Sequence, residues 1–119
     1  MGQYLPAFRP GDTVTFEVTS AVTGGHPVQV GTIDRSVAPA AAASVTYVGV
    51  AGHDAAVGDK VTVEVGKPIH LLVALGAVAL GAKVEAAGAG KVRTATTGTV
   101  IGLALTSAAD GVPVQVLQF

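Results

Sequence analysis

The chain has no cysteine and no tryptophan, and aromatic side chains occupy only 4% of its 119 positions. Without cysteine there is no disulfide, no zinc–thiolate site and no thiol nucleophile, and the redox compartment is left open. Charge is scarce as well. Seven Lys and Arg stand against eight Asp and Glu, for a formal net charge of −1. The basic residues form no run, whereas a protein held by phosphates carries a basic face or stripe. The reading is therefore no nucleic-acid partner and no attraction to an anionic membrane surface. Long apolar runs are missing too. "IHLLVALGAVALGAKV" is broken by His70, Gly76 and Gly81, falls short of the ~20 residues a spanning helix needs, and reads as a buried strand–turn–strand. The opening "MGQYLPAFRPG" has no basic region followed by an apolar run, so no signal peptide is predicted. Pro6 sits where a myristoylation signal needs Ser or Thr.

What is present is small and apolar. Half the residues are hydrophobic, with Ala, Val, Gly and Thr dominant. A domain with so little charge must hide apolar surface or associate, which points to an oligomer or to attachment to a larger assembly. Length fits one compact domain, and a chain of this size buries roughly two-thirds of the surface it exposes unfolded. "DTVTFEVTS" sets Val14, Phe16 and Val18 against Thr13, Thr15, Glu17 and Thr19. "DKVTVEV" sets Val61, Val63 and Val65 against Thr62 and Glu64, and "VPVQVLQF" alternates in the same way. Period two with β-branched residues marks half-buried strands.

The turns repeat. A glycine, two residues, then apolar–x–apolar occurs at Gly11, Gly25, Gly58 and Gly111, with a weaker copy at Gly81. "SAVTGGHPVQV" (20–30) resembles "SAADGVPVQV" (107–116), and "VGVAGHDAAVGDKVTV" (48–63) aligns without gaps on "IGLALTSAADGVPVQV" (101–116). The second alignment bears on the charged cluster at 52–60. Thr106 stands for His53, Ser107 for Asp54, Val112 for Asp59 and Pro113 for Lys60. The scaffold persists while the charges vanish, so Gly11, Gly25, Gly58, Asp59, Gly81 and Gly111 are read as structural turn residues. "APAAAASV" (38–45), "HDAAVGD" and "TSAADG" have the residues for a helical turn and no more. The expected fold is all-β: a small β-barrel or β-sandwich of short strands with Gly/Pro turns and at most one short helix.

No constellation carries catalysis. His26, His53 and His70 are far apart and form no ligand pair; with Asp34, Asp54 or Asp59 they are the residues a metal site would have to use. None of Ser20, Ser36, Ser44 and Ser107 lies in a nucleophile elbow. "AAGAGK" lacks the phosphate-loop spacing. No catalytic residue, metal or cofactor is assigned, and a metal- or ligand-binding barrel enzyme is the weakest alternative. The N-terminus says more. Tyr4, Leu5 and Phe8 lie between prolines before the first clear strand. That predicts an extended arm over 1–12, ahead of a single β domain over 13–119. Aromatic anchors on such an arm either grasp a neighbour or cap the domain's own end.

"YLPAFRPGDTVTFEVTSAVTGGHPVQV", "VGVAGHDAAVGDKVTVEV" and the closing "IGLALTSAADGVPVQVLQF" together resemble the capsid decoration, or cement, proteins of tailed bacteriophages. The composition is similar to members from phages of actinobacterial hosts. The resemblance covers nearly the whole chain, in turn-and-strand motifs. It implies a structural virion protein on the capsid exterior, present in the host cytoplasm during assembly. Such a protein binds the assembled head as a trimer and bridges major capsid protein subunits. On that reading Tyr4, Leu5, Phe8 and Arg9 are the capsid-binding residues of the arm. Another phage or bacterial structural or adhesive β module, such as a head-fibre base, a tail component or a bacterial surface domain, is the nearest alternative.

Overall fold

Four copies of one turn organise residues 13–119, the part of the chain that the computed structural model describes. The expected arm over 1–12, with Tyr4, Leu5, Phe8, Arg9 and Gly11, lies outside the described residues. Each copy begins at a backbone-bridging residue: Val22, Ala55, Val78 or Ala108. Three positions on comes a glycine at positive φ: Gly25, Gly58, Gly81 or Gly111, at 81, 87, 80 and 78°. Two positions further a strand starts, at Pro27, Lys60, Lys83 or Pro113. The N–H groups of His26, Asp59, Ala82 and Val112 donate to the carbonyls of Thr23, Ala56, Ala79 and Ala109. This is the type II arrangement, whose third residue needs φ > 0. A Cβ at any of the four glycines would meet nothing within 4 Å, so backbone handedness rather than space selects glycine.

The copies pair back to back. Val22 and Ala55 exchange both backbone hydrogen bonds, at 3.0 and 3.1 Å, and Val78 and Ala108 do so at 2.8 and 2.9 Å. This accounts for the local likeness of 20–30 to 107–116, since both stretches are copies of the same unit. It also explains why "HDAAVGD" and "TSAADG" are not helical. Ala55 and Ala108 commit their backbone groups to the bridge. "APAAAASV" runs instead from strand into a turn, and no helix occurs among the described residues.

Ten strands result among the described residues: β1 (Thr13–Val18), β2 (Pro27–Val30), β3 (Ser36–Pro39), β4 (Tyr47–Ala51), β5 (Lys60–Glu64), β6 (Ile69–Ala74), β7 (Lys83–Gly88), β8 (Lys91–Thr94), β9 (Gly102–Ala104) and β10 (Pro113–Gln118). They close into two five-stranded barrels, β1–β3–β2–β4–β5 and β6–β8–β7–β9–β10. The choice the sequence left open, barrel or sandwich, is thus resolved as barrels. The second repeats the first pair for pair. β1/β3 and β6/β8 are parallel, and the other neighbours are antiparallel. Equivalent side chains fill the two interiors. Val28, Val37, Val61 and Val63 occupy the first, and Val84, Val92, Val114 and Val116 the second, all at most 1% exposed.

Two glycines mark where strands approach too closely for a side chain. A Cβ at Gly49 would overlap the Glu64 carbonyl, and one at Gly102 the Leu117 carbonyl. These are equivalent positions, each on the strand that precedes its barrel's last, with Gly49 paired to Val28 on β2 and Gly102 to Val84 on β7.

Candidate functional site

Among the described residues the one buried charged side chain lies in the second barrel. Glu85, fully enclosed on β7, takes Arg93 on Oε2 at 3.1 Å from Nε and 2.9 Å from Nη2. Its Oε1 accepts the N–H groups of Thr96, Thr97 and Gly98 at 2.5, 3.0 and 3.1 Å. The Thr96 amide, with the other amides and Arg93, holds the carboxyl down at about 2. A carboxylate so saturated with donors stays ionised and has no lone pair free for proton transfer. Its task is architectural. It shapes the 96–98 loop, where Gly98 lies against the Ala43 backbone and Thr99 N–H donates to the Ser44 carbonyl. The first barrel has an uncharged version: Gln29 Oε1 accepts the Ala41 N–H at 3.0 Å.

A second polar knot joins the barrels. The Gln118 amide, 1% exposed, donates to the carbonyls of Glu64 and Gly66 at 3.2 and 2.7 Å. Its Oε1 accepts from the Tyr47 hydroxyl at 2.6 Å and from His70 Nε2 at 3.0 Å. Burial pushes the Tyr47 hydroxyl far above its ordinary range and lowers His70. Every polar atom of Gln118 is occupied, so the knot fastens the short connection over 65–68 and leaves no open coordination for a ligand.

The histidines are not brought together. His70 lies in this knot. His26 lies against Gly90, where a Cβ would overlap its ring. His53 serves a turn: Nδ1 donates to the Asp54 carbonyl at 2.9 Å and Nε2 accepts the Thr62 N–H at 3.4 Å. In the second barrel Thr106 Oγ1 accepts the equivalent Gln115 N–H at 3.1 Å. Asp54 Oδ1 accepts the Gly24 N–H at 2.8 Å, and Asp59 Oδ2 faces the Ala56 N–H at 3.4 Å. The charged cluster at 52–60 thus holds turns. Among the described residues no three His, Cys, Asp or Glu side chains group as a metal site.

What remains open to a partner is a face. In the first barrel the outward residues of β1 and β5 are register partners: Thr13 with Glu64, Thr15 with Thr62, and Glu17 with Lys60. In the second barrel the equivalent pairs on β6 and β10 are Ile69 with Leu117, Leu71 with Gln115, and Val73 with Pro113. Leu103 on β9 extends the row beside Leu117. Leu75 and Val112 continue it past the strand ends, at 42% and 45% exposed, while Ile69 and Leu71 are 59% and 67% exposed. Thr19 and Asp59 hold those last two positions in the first barrel. Five of the six paired outward positions change from polar or charged to apolar, Thr62/Gln115 being the exception. Solvated faces are expected to alternate to polar, so an apolar outer face is the signature of contact with another protein. The sequence reading assigned capsid contact to the N-terminal arm and contact between copies to apolar strand residues in general, and did not single out Ile69, Leu71 or Val73. The alternating pairs were visible in the text, but the comparison that gives them meaning is the register of the two barrels.

Comparison with known proteins agrees with a phage structural origin. A family model described as phage cement protein matches residues 8–117. No curated protein matches. Among solved structures, the N base of the head fiber gp8.5 of bacteriophage phi29 superimposes with a TM-score of 0.71 at 20% identity, covering 91% of this chain and 93% of that one. At that identity the likeness establishes the fold.

Proposed function

The chain belongs to the phage cement proteins, structural components of the capsid exterior, and from that premise we propose that it binds the assembled head as a trimer and bridges neighbouring major capsid protein subunits. The observation that carries the oligomeric part of this reading is the exposed, uncharged outer face of the second barrel, built on a scaffold whose first copy keeps the same face polar; membership of the cement family supports the contact with the head. A trimer docked on several subunits gains avidity, because the first contact places the others at high effective concentration. Modest individual patches then suffice. The arm residues Tyr4, Leu5, Phe8 and Arg9 reach the capsid surface in this scheme, and the chain does no catalysis. Co-sedimentation with purified heads, followed by electron cryo-microscopy of the decorated particle, tests it. Density for the protein over junctions of capsid subunits is expected. Failure to pellet with heads overturns it. Deleting residues 2–9 should abolish pelleting while leaving the oligomer intact, and unchanged occupancy removes the arm from the account.

The likeness to a head-fiber base favours a second reading, in which the same two barrels anchor a projecting fibre. Micrographs of the particle separate the two: a fibre base carries density rising from each bound copy.

A further inference from the structure

We propose that the β6–β10–β9 face is where copies of this chain meet each other, so that Ile69, Leu71 and Leu117 lie in a homo-oligomeric contact and not against the capsid. The inference rests on the cement reading above only for its biological setting. Its basis is in the molecule. The two barrels share a backbone, a register and an interior, so the first barrel is an internal control for what the second barrel's exterior needs in order to fold. Thr13, Thr15 and Glu64 satisfy that need. Their replacement by Ile69, Leu71 and Leu117 therefore serves something outside the fold.

Charge decides the occupant. When copies gather about a rotation axis, residues near the axis meet their own counterparts, so any charge there meets its like. The centre of this face carries none, and its lysines stand at opposite margins: Lys83 beside Leu103, and Lys91 beside Val73. An uncharged centre, apolar except for Gln115 beside Leu71, with a charged rim is the anatomy of a permanent self-contact. Non-obligate docking patches are about as polar as ordinary surface. The first barrel's face, with Glu17, Lys60 and Glu64, is unsuited to self-contact and suited to water.

The test is solution mass by light scattering and analytical ultracentrifugation of the full chain, across a wide concentration range. The variants are I69T/L71T, which installs the first barrel's own residues, the stronger L71E, and the control T15E at the position equivalent to Leu71. Circular dichroism checks that each is folded. The wild type and T15E should run as the same oligomer, and I69T/L71T should weaken self-association by about tenfold or more. If L71E does not fold, the threonine pair decides, because threonine is at home in strands. A monomeric wild type, an unchanged mass for I69T/L71T, or dissociation of T15E as well, overturns the proposal. So does a variant that keeps its mass but no longer pellets with heads, since the face would then belong to the capsid. An oligomer that dissociates as expected, from a wild type that does not pellet, upholds the contact and sinks the cement reading instead.

Discussion

The two barrels have nearly the same inside and opposite outer faces on β1/β5 and β6/β10. Val28, Val37, Val61 and Val63 answer to Val84, Val92, Val114 and Val116 in the interiors, and the turn glycines answer one to one. Yet Thr15 answers to Leu71, and Glu17 to Val73, on the outer face. The polar supports differ as well: Gln29 holds one amide where Glu85 holds three and an arginine. The scaffold is thus specified by inward valines and positive-φ turns. Outward positions are free to diverge toward solvent in one copy and toward a partner in the other.

The comparison can be broken most forcefully at Gly49 and Gly102. An alanine at either puts a methyl on a neighbouring carbonyl, and should cost about 3 kcal/mol, the upper part of the range for overpacking. Similar losses in thermal denaturation would show that the copies are energetically equivalent, and an unchanged melting temperature for either would contradict the close approach. Next come Val28→Ala and Val84→Ala, both at fully buried equivalent sites, at about 2 kcal/mol each. Two separate calorimetric transitions in either variant would show that the barrels unfold independently. One shared transition would show that the contacts between the barrels, the Gln118 knot among them, couple the two halves. Alanine at Gly25, Gly58, Gly81 or Gly111 should cost about 1–2 kcal/mol for the left-handed backbone, and the four values should cluster if the turns are one unit used four times.

A further difference between the barrels is read by pH. Glu85 is held low when folded, so its contribution is complete above its ordinary value of 4.5 and is lost as pH falls toward about 2. Gln29 has no such limb. Glu85→Gln should therefore flatten stability against pH in that acid window. His70 is lowered by burial, which favours the neutral ring, so folding weakens as pH falls below its ordinary value of 6.5. His70→Val, which copies Val14, should remove that slope; an unaltered urea midpoint profile between pH 7 and 5 would rule it out.

Much of the fold is legible in the text of the chain. Alternation over 13–18, 60–64 and 113–118 marks the strands that carry each barrel's longest ladder, and the recurrent glycine spacing marks the turns. The alignment of 48–63 on 101–116 is the β4–β5 unit lying over β9–β10. The full duplication is harder to see. β3 and β8, "SVAP" and "KVRT", are only four residues long, and they close their barrels through parallel pairs that leave no local pattern. The polarity change on the outer face also erases the similarity of β1 to β6. Glu85 reads as the solvent side of an alternating strand, and only the loop that folds over it encloses it. His53 and Thr106 differ in every chemical respect except the one that matters here, an acceptor atom aimed at a strand amide.

Closure has a further effect. In each barrel every strand finds a neighbour on both sides, so no ladder of unpaired amides is offered to a passing chain, and the route by which sheet-rich, weakly charged proteins clump edge to edge is shut. Recognition is thereby delegated to whichever side chains adorn the staves. Re-dressing β6 and β10 should then redirect the molecule to new companions without disturbing how it folds.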